Sequence, residues 1–370
     1  MNSHSHNAVH ELIARVVEER RGGYRLLSDK TEYLAVAAGR LRHRAGHDSN
    51  GLLSDDVEEV ARLAGRLRRR AGPRAEVPVV GDWVRAVPEA PGTGRAVIHD
   101  VLPRRSRIVR GAAGNATEEH VLAANVDIAF LVSSLNRDLS ARRLARYVTL
   151  ARNGGVTPVI VLTKADLCMD PDTAVTEVAA AIPGVAVHAM SVWQGHGLEA
   201  LAPYLSPGTT CVLLGSSGVG KSTIVNHLLG TEALRVSPIR ERDDRGRHTT
   251  TRRELLRLPC GALLIDTPGL RELQLWSGSD EDGGLEETFG DITSLARCCR
   301  FTDCQHQTEP GCAVKAAVAA GALEPGRLAS HAKLRREVTF LERKKDKRTK
   351  AEHKKKLRAM NLARRTRQVR

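Results

Sequence analysis

"CVLLGSSGVGKSTIVNHL" occupies residues 211–228 and "VIVLTKADL" residues 159–167, and the order of these two stretches decides the fold. The first reads as an apolar strand, a turn matching G-x-x-x-x-G-K-[ST], and an opening helix. Such a turn lets backbone N–H groups wrap phosphates while the helix N-terminus adds its dipole. Gly215, Ser216, Ser217, Gly218, Val219, Gly220 and Thr223 form the expected cradle; Lys221 should reach the β- and γ-phosphates, and Ser222 should ligate Mg²⁺. The second stretch ends a buried strand in Thr163-Lys164-Ala165-Asp166, close to the guanine-reading pattern N-K-x-D. Asp166 can accept two hydrogen bonds from guanine N1–H and the exocyclic amine, which adenine cannot supply, and the Lys164 stem can lie along the purine face. Thr163 stands where asparagine is usual, so one contact toward the base or the phosphate loop is either weakened or remade by the hydroxyl.

In the usual order the phosphate loop comes first; here the base-reading elements precede it. "HAMSVWQGHGLEAL" (188–201) supplies Met190 and Ser191 as candidates for the segment that backs the base. "LLIDTPGL" (263–270) supplies Asp266 for Mg²⁺ held through water, and Gly269 for an N–H to the γ-phosphate. An aspartate ending a buried apolar strand is expensive without a cationic partner. A parallel sheet can be cut at one surface connection and rejoined at another without moving a strand. The pocket survives such a permutation, and whatever follows DTPG is then attached close to the nucleotide.

The rest of the chain divides by pattern. Residues 9–110 carry short alternating segments between Gly and Arg turns ("RVVEERRGGYRLLS", "EYLAVAAGRL", "PVVGDWVRAV", "GRAVIHDVL"), which argue for a small barrel or sandwich of short strands. "SDDVEEVARLAGRLRRRAG" (54–72) has helical periodicity and reads as an inserted helix. The arginines of "LRRRAG" and "LPRRSRIVR" suit either a nucleic-acid surface or solvent. From about 117, near-continuous apolar runs alternate with helical stretches, the pattern of a parallel sheet wrapped by helices. Alanine-rich helix follows the cysteine-rich stretch near 300. The expected domains are 1–114, 115–278, 279–340 and a tail of 341–370.

At 370 residues the chain exceeds one compact core. It shows no run of 18 apolar residues and no apolar signal core, so the expectation is a cytoplasmic protein without a membrane span. The seven cysteines agree: Cys168, Cys211 and Cys260 are scattered, and four crowd into 298–312. Net charge is +14, and residues 341–370 hold fourteen Lys or Arg against three acidic residues. A tail that basic points to a polyanion such as RNA.

Taken together, "PVVGDWV", the permuted order "TKADL … GSSGVGKST … GRHTTT … DTPG" and the terminal "CRFTDCQHQTEPGC" resemble the circularly permuted GTPases that mature the small ribosomal subunit, the RsgA family. The resemblance covers nearly the whole chain. It implies an N-terminal OB-fold, a central permuted P-loop GTPase and a C-terminal, mainly helical zinc-binding domain. It also implies action on the 30S subunit and its 16S rRNA, whose binding stimulates hydrolysis of GTP to GDP; release afterwards and a monomeric state are further expectations. Thr163, the insertion at 54–72 and the long tail depart from the family pattern.

Cys299, Cys304, His306 and Cys312 give three thiolates and an imidazole within fourteen residues, a closed set for one structural Zn²⁺. Cys298 competes for the first place, and the spacing shared with the family favours Cys299. Leu270, just after DTPG, cannot orient water for hydrolysis. The stretch "RERDDRGRHTTTRRELL" (240–256) resembles a flexible switch, in which Thr250 is the choice for Mg²⁺ and the γ-phosphate, with Thr249 and Thr251 as alternatives. His248 beside them is the candidate water-orienting group. Two other classes compete: a passive RNA scaffold, against which the intact Lys221, Ser222 and Asp266 argue, and an ATP-dependent enzyme, which Thr163 would admit.

Overall fold

Period-2 alternation in the first hundred residues builds five strands: β1 (Leu12–Arg20), β2 (Gly23–Ser28), β3 (Thr31–Ala37), β4 (Trp83–Pro88) and β5 (Arg95–Val101). The computed structural model describes residues 11–20, 22–38, 77–90, 92–112, 115–136, 139–230, 253–266, 283–340 and 343. The expected helix at 54–72 and the basic tail beyond 343 lie outside them. The inward positions are mostly small: Ala14, Val16, Leu26, Ala35, Ala37, Val84, Ala86, Ala96 and Ile98. Small residues fit because a five-stranded barrel leaves little interior. Pairing runs β1-β2-β3-β5-β4, and β4 closes back onto β1; β3 and β5 pair in parallel. This is a closed OB-type barrel.

Arg104 corrects an expectation. Its guanidinium donates to both carboxylate oxygens of Asp82 at 2.7 and 2.8 Å and to the Val77 carbonyl at 3.0 Å, and Asp82 is fully buried. The arginine of "LPRRS" is therefore neither an RNA contact nor solvated. It neutralises the aspartate of "VVGDWV", which would otherwise be a buried lone charge. Arg105, next in sequence, is the exposed one.

Two further strands, β6 (Arg107–Ala112) and β7 (Asn115–Ala124), form an antiparallel ribbon that the apolar pattern did not reveal, and the expected boundary at 114 falls between them. The central sheet follows. The buried runs become β8 (Ile128–Ser134), β9 (Thr157–Thr163), β10 (Ala186–Ala189), β11 (Thr210–Leu214) and β13 (Leu263–Asp266), parallel in the order β10-β9-β8-β11-β13. Between β11 and β13 in sequence lies β12 (Arg253–Arg257), antiparallel on the β13 edge. Residues 253–256, expected in a flexible switch, instead form a strand hydrogen-bonded on both sides, to β13 and to β1.

Helix α1 (Ala141–Asn153) is capped by Ser140, and α2 (Pro171–Ala181) by Asp170 with Pro171 at its first position; α3 (Lys221–Leu229) opens from the glycine-rich turn. Phe130, Val132, Val161, Leu213 and Leu264 pack one sheet face toward α3, while Leu131, Ile160, Leu162 and Val212 pack the other toward α1.

That second core does not stop at the central domain. It continues into the C-terminal helices α4 (Gly283–Thr288), α5 (Gly290–Ala296), α6 (Ala313–Ala319) and α7 (325–340), taking in Leu285, Phe289, Ile292, Cys304, Cys312 and Leu334. Polar ties follow the same seam: Arg146 on α1 forks onto Glu337 at 2.7 Å, and Gly284 N donates to Asn153 Oδ1 at 2.8 Å. At the other end β1 pairs antiparallel with β12, so barrel and central domain share one eleven-stranded sheet. Buried Arg15 locks this junction by donating to Thr210 Oγ1 at 2.8 Å. No described helix is long and apolar enough to cross a membrane.

Candidate nucleotide site and metal cluster

The carboxyl ends of parallel strands in an open sheet form a crevice where ligands bind. Here β9 ends at Thr163, β11 at Leu214 and β13 at Asp266, so residues a hundred positions apart share one edge. Asp266 lies one residue beyond the Val212–Ile265 pair, beside Leu213 and close to the turn that starts at Gly215.

The turn is built for backbone approach. A Cβ on Gly215 would stand 2.2 Å from the Val132 carbonyl oxygen, and Gly220 caps α3 at φ +96°, a conformation that disfavours side chains. Val219 buries its side chain under the turn. Lys221 Nζ donates to the carbonyls of Gly215 at 2.8 Å and Ser216 at 2.6 Å, curling over the loop. Ser216, Ser217 and Gly218 line the outer side of the turn, Ser222 is exposed in the first turn of α3, and Thr223 is half-buried beside it.

Thr163 meets this turn directly. Its hydroxyl lies 2.6 Å from the Val219 carbonyl and 3.3 Å from the Ser133 carbonyl; with one proton to give, it donates to the nearer. The contact that asparagine would make to the phosphate loop is thus remade by the shorter side chain. The acceptor, Val219, was not foreseeable from the tetrapeptide alone.

On the other side of Thr163 the base-reading residues are also assembled. Lys164 takes a left-handed turn at φ +58°, and Ala165 N donates to the Met190 carbonyl at 3.1 Å. Ser191 Oγ donates to Asp166 Oδ1 at 2.5 Å and accepts from Gln194 N at 3.2 Å. Buried Ser191 therefore fixes the orientation of the exposed Asp166 carboxylate and leaves Oδ2 and the remaining lone pairs to accept from a ligand. The Met190 side chain is in the core, so only its backbone serves this edge. Gly269, His248, Thr249, Thr250, Thr251 and Leu270 lie outside the described residues.

Some distance along the chain, Cys299, Cys304, His306 and Cys312 bring their ligand atoms within 4.8 Å of one another. The Cys299 and Cys312 sulfurs are 3.9 Å apart, and His306 Nδ1 is 3.7 and 3.4 Å from them. A tetrahedral Zn²⁺ with Zn–S of about 2.3 Å and Zn–N of about 2.0 Å sets these separations near ~3.8 and ~3.5 Å. The donor set fits that ion, and three soft thiolates exclude Mg²⁺ or Ca²⁺. Cys298 is exposed and its sulfur faces the Ser294 carbonyl, outside the cluster. Burial pushes the Cys304 thiol up to about 11, so a metal that binds there must displace its proton and binding should weaken as pH falls. Between His306 and Cys312, the Glu309 carboxylate accepts the backbone N–H groups of Gln305, Gln307 and Thr308 at 2.8–2.9 Å, which holds it down at about 2 and ties the loop shut.

A family model described as RsgA GTPase matches residues 101–276. The small ribosomal subunit biogenesis GTPase RsgA of Opitutus terrae is 47% identical over 342 residues, covering 90% of this chain and 86% of its own. Its namesake RsgA 1 of Oceanobacillus iheyensis is 42% identical over 353 residues, covering 95% and 92%. Among solved structures, YjeQ from Thermotoga maritima superposes with a TM-score of 0.61 at 24% identity, over 89% of this chain and 99% of that one. YloQ, described as a circularly permuted GTPase, gives 0.56 at 24% identity, over 92% and 98%.

Proposed function

The chain belongs to the RsgA family of small ribosomal subunit biogenesis GTPases and is a GTP hydrolase, and from this premise we propose how its residues divide the work. It acts in the cytoplasm as a monomer in late maturation of the 30S subunit. The barrel, the C-terminal helices and the basic tail hold 16S rRNA, hydrolysis is stimulated by the subunit, and the factor leaves once GTP has become GDP. The three folded modules divide near 114 and 278.

In the nucleotide pocket, Asp166 accepts from the guanine edge in the orientation set by Ser191, with the Lys164 stem against the purine. The N–H groups of the 215–220 turn and the Lys221 ammonium take the phosphates. Ser222, Thr250 and, through water, Asp266 hold Mg²⁺, which when bound neutralises charge developing on the phosphates. Gly269 gives its N–H to the γ-phosphate. His248 orients the attacking water in place of Leu270 once the subunit orders its loop. Cys299, Cys304, His306 and Cys312 hold one Zn²⁺ with no open position, so their role is structural.

The observation that supports this most is the pair of contacts flanking β9: Thr163 to Val219 on the phosphate side, and Ser191 to Asp166 on the base side. One strand end thereby ties the two halves of a permuted pocket. The test is GTP turnover with and without purified 30S subunits, comparing intact protein with His248→Ala and with a tail truncated after residue 343. Stimulation that survives in full in His248→Ala removes its catalytic role. Equal subunit affinity with GDP and with a non-hydrolysable GTP analogue removes the release step.

A further inference from the structure

The eleven-stranded sheet carries a row of charge that leaves the nucleotide edge and ends in the barrel. Asp266 on β13 stands opposite Glu254 on β12, Glu254 opposite Glu18 on β1, and Glu18 opposite Arg25 on β2. Directly opposed residues on neighbouring strands share a face and hold their Cβ atoms about 4.5–5.5 Å apart. Three carboxylates in one such row repel one another unless a cation intervenes. Arg25 is set against two of them. Its guanidinium contacts Glu254, pairs with Glu18 at 3.1 Å and reaches Glu32 at 3.6 Å. Glu18, almost fully buried, is also forked by Arg20 at 2.8 and 2.7 Å, so it does not depend on Arg25 alone. Glu254 is half exposed, with Arg25 in contact with it and Arg20 near enough to act on its charge.

We propose that Arg25, a barrel residue, is a positioning residue for GTP hydrolysis: it draws Glu254 toward the barrel and so keeps a second carboxylate from competing with Asp266 for the metal. The inference rests on the reading of Asp266 as the metal-holding acid. It gives the barrel a physical route to the nucleotide. Any shift of the barrel on RNA carries Arg25 with it, and the charge beside Asp266 changes at once.

The test uses the full-length protein and reads, as a function of Mg²⁺, both steady-state GTP turnover and the dissociation of a fluorescent GDP analogue, which needs no hydrolysis. Arg25→Gln should lower kcat about tenfold, the size of one charged contact, leave KM for GTP within about twofold, and shift the half-maximal Mg²⁺ concentration. Arg25→Lys should restore most of the loss by keeping the charge. Arg25→Gln combined with Glu254→Gln should return kcat and the Mg²⁺ profile close to wild type, because the unneutralised carboxylate is gone. A double variant as impaired as Arg25→Gln, or losing melting temperature in step with activity, would make the pair merely structural and overturn the proposal. So would an Arg25→Gln profile identical to wild type. Asp266→Asn serves as the separate control. If it retains wild-type Mg²⁺ dependence, the reading of Asp266 is wrong; if it abolishes turnover while Arg25→Gln changes nothing, only the present inference fails.

Discussion

A single hydroxyl at Thr163 does what a carboxamide does in the commoner motif, and its removal can be separated from loss of base recognition. Thr163→Val keeps shape but leaves the Val219 carbonyl of the phosphate loop without its donor. A buried acceptor stripped of its partner costs about 1–3 kcal/mol. Both GTP and GDP should therefore bind roughly tenfold more weakly in a fluorescent-nucleotide titration, with selectivity over adenine unchanged. Asp166→Asn acts on the base instead. It replaces a carboxylate that accepts two hydrogen bonds with an amide that accepts at one atom and donates at the other. GTP affinity should fall by about two decades or more, and xanthosine triphosphate, whose edge offers one donor and one acceptor, should bind the variant better than GTP does. A variant that still prefers GTP would place guanine elsewhere. The residues of this edge were legible because each sits at a strand end marked by its own motif. Arg104 was not: whether an arginine meets water, RNA or a carboxylate depends on Asp82, twenty-two positions earlier, and no local pattern carries that.

Helix-level packing rests on two positions the sequence did not mark. Arg327 on α7 is buried, forks onto Asp291 at 2.6 and 2.7 Å, donates to the Ala181 and Thr288 carbonyls at 2.7 and 2.8 Å, and lies 4.8 Å over the Phe289 ring. Lysine cannot fork in this way. Arg327→Ala strips the Ala181 and Thr288 carbonyls of their donor and leaves a partly exposed Asp291 for water to solvate, and should cost about 1–3 kcal/mol in urea unfolding; a loss under about 0.5 kcal/mol would show that the fork contributes nothing net. Gly284 permits the close approach of α4 to α1, since a Cβ there would stand 2.1 Å from Asn153 Oδ1 and 2.8 Å from the Thr149 carbonyl. Gly284→Ala must push the helices apart and should also destabilise, by roughly 1–3 kcal/mol. The same helix α7 sets an acid limit. Burial, then the charges of Arg335, His306 and Arg327, push the His331 imidazole down to about 4. Between 4 and the unfolded value near 6.5 the unfolded chain binds the proton and the folded one does not, so stability is complete above 6.5 and falls as pH drops toward 4. The total is on the order of 3 kcal/mol. The difference in unfolding free energy between wild type and His331→Leu should accordingly narrow from pH 7 to pH 4.5, and a constant difference would mean His331 is not held neutral. The apolar runs made the parallel strands legible, whereas β12 was hidden. Arg-Glu-Leu-Leu-Arg has no period-2 alternation and looks like loop until β1 and β13 pair with it.

At the scale of the molecule, the permuted motif order already implied that the segment leaving the nucleotide edge would be attached near it. What it could not reveal is how much core the attachment shares. Cys304 and Cys312 belong to the same apolar cluster as Leu131 and Ile160 of the central sheet, whereas the barrel interior forms a cluster of its own. A metal that ties Cys299, Cys304, His306 and Cys312 should therefore stabilise more than its own loop, because Cys304 and Cys312 pack in the same cluster that joins α4, α5 and α7 to the central sheet. Removing it with a strong chelator should uncover Leu285, Phe289 and Ile292 and withdraw the Arg146–Glu337 contact, a loss on the order of 5 kcal/mol at about 1.5–3 kcal/mol per apolar side chain. For a domain of this size that corresponds to a melting temperature lower by roughly 10 °C, reversed by added Zn²⁺ but not by Mg²⁺. Scanning calorimetry should then show the central and C-terminal parts melting as one metal-dependent transition, with the barrel less affected because its core is separate. A chelated protein that loses only a small early transition, with the nucleotide-binding transition unmoved, would mean that the shared cluster transmits little energy. The C-terminal helices would then be a detachable module, and hydrolysis could reach them only through the chain that follows DTPG.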